Sequence, residues 1–101
     1  MRVAPILLGL AILAGPALAQ TGAQTCAKMQ AEDRLGPLSN AQCQCSYSVA
    51  EQVLDPDIRA LLFDAWYNGN DNIAKMEQIK PQTRVRKQLK SMAAAIAKHC
   101  P

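Results

Sequence analysis

Residues 39–54 read SNAQCQCSYSVAEQVL, and this stretch decides the fold. Ser39 with Gln42 three positions later makes a capping box, in which each side chain satisfies a backbone N–H that a helix start leaves unpaired. Leu38 stands where a hydrophobic staple onto Cys43 is expected, and the helix should run to about Leu54. At about 100° per residue, Cys43, Tyr47, Ala50 and Leu54 share one face. Val49, Val53 and Cys45 widen that apolar arc, while Gln44, Ser48, Glu51 and Gln52 hold the remainder. An arc this wide suits the central helix of a bundle. Cys43 and Cys45 point about 200° apart around the helix, so a bond between them would destroy it.

The chain has four cysteines, Cys26, Cys43, Cys45 and Cys100. An even count in a short chain reads as a disulfide framework where the chain is exported. With Cys43–Cys45 excluded, two connectivities remain: Cys26–Cys43 with Cys45–Cys100, or Cys26–Cys45 with Cys43–Cys100. In both, the second helix is the hub, tied to the first helix on one side and to the C-terminus on the other.

Working outward, Gln20 to Thr25 is small and polar and is expected to be a flexible lead-in. A first helix is expected from Cys26 to Leu35, closed by Gly36 in the left-handed position and by Pro37. Asp55-Pro56 opens a third helix, with Asp as N-cap and Pro at the first turn. Its stripe is Ile58, Leu61, Leu62 and Ala65, and Asn68-Gly69 ends it. Asp71 then caps a short segment carrying Ile73, Met76 and Ile79, stopped by Pro81. The last helix, Gln82 to His99, repeats Val85, Leu89, Met92, Ile96 and Cys100 at steps of four, three, four and four. The expected fold is all-α: one domain over 26–101, a small four- to five-helix bundle stapled by two disulfides, with short connections favouring antiparallel neighbours.

Residues 1–19 have the form of a cleavable signal peptide. Arg2 supplies the positive start, Val3 to Leu18 is uncharged, and Ala17-Leu18-Ala19 places small residues where a signal peptidase reads, with the cut before Gln20. A membrane-spanning helix needs about 20 apolar residues. This run is shorter and is interrupted by Pro5, Gly9, Gly15 and Pro16. No cysteine follows the cut, so a lipid-modified N-terminus is not implied. The short positive region points to a bacterial protein of the periplasm or the extracellular space. Of 101 residues, loss of the first 19 leaves 82, a size at which one core supplies only a few kcal/mol and staples are useful.

Eleven Lys plus Arg oppose eight Asp plus Glu, a balance that selects no class of partner. The charges do segregate. Residues 26–69 carry three basic and six acidic side chains, and residues 70–101 carry seven and two. On the last helix Arg84, Lys87, Lys90 and Lys98 lie opposite the apolar stripe, a candidate docking face for an acidic partner or an anionic membrane surface. Phe63, Trp66 and Tyr67 turn away from the third helix's stripe. They are a candidate partner-binding flank if exposed, or ordinary packing if that helix is buried on two sides.

No catalytic constellation is present. His99 has no nucleophile or orienting partner in view, and Asn68-Gly69-Asn70-Asp71-Asn72 lacks the acidic spacing and closing Glu of a calcium loop. Cys-x-Cys with His99, Met29, Met76 and Met92 raises a soft-metal or redox reading. A redox pair belongs at an exposed turn or helix start, however, and the methionines sit at core positions. The Cys-x-Cys on a helix is similar to that of plant lipid-transfer proteins. Those carry eight cysteines including an adjacent pair, and the six-cysteine saposin-like pattern is also missing. Periplasmic acid-stress chaperones share size and compartment only, so no family is assigned.

The expected function is therefore a small exported, non-enzymatic binding or accessory protein without cofactor or metal, acting through a surface of the bundle on a protein partner. Lipid contact at a membrane periphery stays open and nucleic acid is not expected. The alternatives are a carrier of lipid or another apolar ligand, and a thiol redox or soft-metal protein using Cys43 and Cys45.

Overall fold

The computed structural model describes residues 20–101; the expected signal peptide over 1–19 lies outside the described residues. Five helices follow in order: α1 Gly22–Ala31, α2 Asn40–Val53, α3 Pro56–Asn68, α4 Ile73–Glu77 and α5 Gln82–His99. The domain is an all-α bundle, with no strand among the described residues.

The α2 start is built as its sequence dictates. Ser39 Oγ accepts from the Gln42 N–H at 3.1 Å, and Gln42 Oε1 accepts from the Ser39 N–H at 2.8 Å. Leu38 does not staple it, remaining 45 % exposed. Cys43 is instead bonded to Cys26, and the second bridge joins Cys45 to Cys100. This is the first of the two connectivities. α2 packs against both α1 and α5, so it is the hub.

The first helix differs from expectation. It begins at Gly22 and ends at Ala31, four residues earlier than expected at either end. Thr21 and Gln24 form a second capping box, which orders the stretch expected to be a flexible lead-in. The left-handed residue after the helix is Asp33, φ 56°, whose short polar side chain tolerates that region. Gly36, φ 62°, shapes the following turn instead. Gly22 lets the helix start approach the Tyr47 ring, since a β-carbon there would meet Tyr47 Cδ1 at 3.1 Å.

α3 starts with Pro56 at its first turn and ends on Gly69 in the left-handed conformation, as read. Asp55 occupies the N-cap without capping, because its carboxylate is engaged by Arg84 at 2.8 Å. The buried core is small. Ala50, Leu54, Ile58 and Val85 form its centre, with Phe63, Trp66, Ile79 and Met92 among the half-buried side chains packed on it. Cys26, Cys43 and Tyr47 are also buried.

Candidate functional site

The apolar stripes of α3 and α5 do not close on each other. Ile58 and Val85 meet in the core, but Leu61, Leu62, Ala65 and Leu89, further along the same stripes, are only half-buried. The reason lies in α4, whose five residues are too few to roof the gap. Met76 and Ile79 turn inward onto the core, while Ile73 stands 67 % exposed. The result is an open groove of about 620 Å³ with Leu61, Leu62 and Ala65 on one wall, Val85 and Leu89 on the other, and Met76 and Ile73 along the α4 side. Its size falls in the ordinary range for binding pockets. Asp71 and Glu77 stand on the α4 lip and Arg86 on the α5 lip, and neither acid pairs with Arg86 among the described residues. Sequence reasoning assigned Leu61, Leu62, Ala65 and Leu89 to core stripes. Only the shortness of the segment between Asn72 and Pro81 hinted that part of them would stay uncovered.

The aromatic flank is not a free patch. Phe63 stacks on the buried Tyr47, with ring centroids 4.0 Å apart and planes within 10°. Trp66 lies 5.7 Å from Phe63 and 6.3 Å from Tyr47, and both Phe63 and Trp66 pack on the core. Tyr67 lies under the Lys28 ammonium, 4.3 Å from its ring centre. These rings hold α3 to α1 and α2. A second hollow, about 640 Å³, runs past Tyr47, Phe63 and Tyr67, but Glu51, Arg59 and Asp64 line it as well and make it far more polar than the groove.

Arg84 also leaves the basic face. It is half-buried and clasped by Asp55 at 2.8 Å and Asp57 at 2.7 Å. The guanidinium holds the Asp57 carboxyl down at about 2, and Gln88 and then Arg84 hold Asp55 below its ordinary value. Lys87 and Lys90 remain exposed. α5 contains no Asp or Glu, and none of Arg86, Lys87, Lys90 or Lys98 is ion-paired among the described residues.

Two features were missed by the sequence reading. Arg34, in the turn after α1, donates to the carbonyls of Trp66 at 2.7 Å and Tyr67 at 3.1 Å, and Lys28 donates to Tyr67 O at 2.8 Å. Two cations thus satisfy the open carbonyls at the α3 C-terminus, where positive charge is favourable. Asp64 accepts from the side-chain amides of Asn68, Asn70 and Asn72. These bonds, Asn72's first, hold its carboxyl at about 2. The amide nitrogens, not oxygens, face the carboxylate, so the Asn-rich loop is a turn tied to α3.

Cys43 and Cys45 are committed to different disulfides, and no free cysteine exists. Against protein-family models, curated proteins and solved structures, the chain has no match. The two bridges belong to an oxidising, non-cytoplasmic environment, and no helix among the described residues is long and apolar enough to cross a membrane.

Proposed function

We propose that the protein is a small exported, non-enzymatic binding protein that takes an apolar segment of a partner protein into the groove between α3, α4 and α5. The observation that carries this reading is the groove itself: unclosed Leu61, Leu62 and Leu89 beside the exposed Ile73. A domain this small has few apolar side chains to spare, and leaving four large ones short of full cover is costly unless something else covers them. Grooves with apolar walls on two helices suit an amphipathic helix presenting side chains at i, i+3 or i+4, and i+7.

The test uses methyl-labelled protein titrated with a synthetic 14-residue helical peptide bearing one leucine stripe. The expected result is saturable shifts at Leu61, Leu62, Val85 and Leu89, lost in Leu62→Glu/Leu89→Glu. Shifts confined to other faces, or none, would sink the reading. A carrier of small apolar ligands fits less well, because the groove is open along the side where Ile73 stands. The thiol or soft-metal reading has least support, since both sulfurs of the Cys-x-Cys pair are bonded elsewhere.

Export through the signal peptide is part of the same proposal. It is supported by the two disulfides, which belong to an oxidising compartment. Intact mass of the protein recovered from the periplasm or medium should correspond to a chain starting at Gln20. A mass that retains residues 1–19 would refute cleavage.

A further inference from the structure

The groove is electrically one-sided, and this fixes the chemistry and direction of what it takes. Resting on the groove reading above, we infer that its occupant is an amphipathic helical segment of a protein, with acidic side chains on the flank that faces α5. Three observations combine. Arg86 stands on the α5 lip and Asp71 and Glu77 on the α4 lip. Among the described residues Arg86 is exposed and unpaired, and Lys90, one turn further along α5, is likewise exposed and unpaired. α5 carries no acid to neutralise either. An occupant with acids toward α5 and neutral or basic groups toward α4 meets complementary charge on both sides, whereas the reverse orientation meets like charge on both.

The same geometry selects a protein segment over a membrane. A lipid surface presents anions uniformly, so it would meet Asp71 and Glu77 as well as Arg86, and its flat plane does not fill a concave groove. The walls contributed by Leu61–Ala65 and Val85–Leu89 each span about one helical turn. One turn of a bound helix, with two large apolar side chains at i and i+3 or i+4, matches that length.

The experiment compares two synthetic peptides with an identical leucine stripe, one flanked by glutamates on one side, the other by lysines at the same positions. Binding is read from methyl shifts and titration calorimetry at low and high salt. The glutamate-flanked peptide should bind roughly fivefold to tenfold more tightly, and R86E/K90E should abolish or invert that preference with an unchanged melting temperature, since neither side chain has an ion-pair partner among the described residues. High salt should narrow the gap. Equal affinity, or preference for the lysine-flanked peptide, overturns the charge assignment and leaves the groove reading standing. Failure of both peptides to shift the groove methyls overturns both. Vesicles containing phosphatidylglycerol are the third arm. If they bind the protein through Arg86 and Lys90 while neither peptide does, the face reads anionic lipid and the inference is wrong.

Discussion

Asp55 shows how a local rule is outcompeted by one long-range partner. An Asp before Pro at a helix start is a strong N-cap signal, and the helix does begin there, yet the carboxylate turns to Arg84 across the bundle. Nothing near residue 55 in sequence announces a partner 29 positions away. Arg84→Met should therefore lower the melting temperature and free Asp55 to cap α3, whereas Lys87→Glu should leave stability unchanged. Thermal melts of the two variants side by side check this, and equal behaviour would remove the clasp from the account. Thr25 offers a second residue-scale test. It is 1 % exposed, and its hydroxyl has no hydrogen-bond partner among the described residues, although it neighbours Tyr47. Thr25→Val should be neutral or stabilising by up to about 1 kcal/mol, read from urea midpoints. A clear loss would mean the hydroxyl is satisfied after all.

At the scale of elements, the helices with strong end signals were legible and the one with a weak stripe was not. Ser39/Gln42, Asp55-Pro56 and Gly69 place α2 and α3 to within a residue or two. α1 was misplaced because Thr21/Gln24 also makes a capping box, and it lay in a stretch read as lead-in on composition alone. The groove was not legible because a stripe declares which side chains seek cover, not whether a neighbour is long enough to give it. The disulfides predict distinct element-level losses. Loops of 17 and 55 residues correspond to roughly 3 and 4 kcal/mol in chain-entropy terms, less any native strain. Replacing Cys45 and Cys100 by Ala should speed amide exchange at the α5 C-terminus first, and replacing Cys26 and Cys43 should speed it in α1. Uniform acceleration in both would show that the bridges do not act on separate elements.

For the whole molecule, the depressed carboxyls set the response to acid. Asp57 and Asp64 lie at about 2 in the folded chain, against an ordinary 3.8. A lowered value means the folded state binds protons less readily than the unfolded chain. The stability these groups contribute is thus complete above about pH 4 and is lost as pH falls toward 2. Urea midpoints should be level near neutrality and fall through that window. Asp64→Asn should be less stable than the parent at pH 7 and nearly equal to it at pH 2. A midpoint that does not change with pH would show that the Asn68–Asn72 tie and the Arg84 clasp contribute nothing.

The two bridges also have a consequence for damage. Cys26–Cys43 and Cys45–Cys100 neither overlap nor nest, so the chain is two covalent rings in series, joined through Gln44 alone. A single protease cut anywhere within either ring opens that ring without releasing a fragment. The nicked protein stays one molecule, with its groove walls still attached, until something reduces it. The one link whose scission parts the rings lies inside α2, where a protease must unwind the hub helix to reach it.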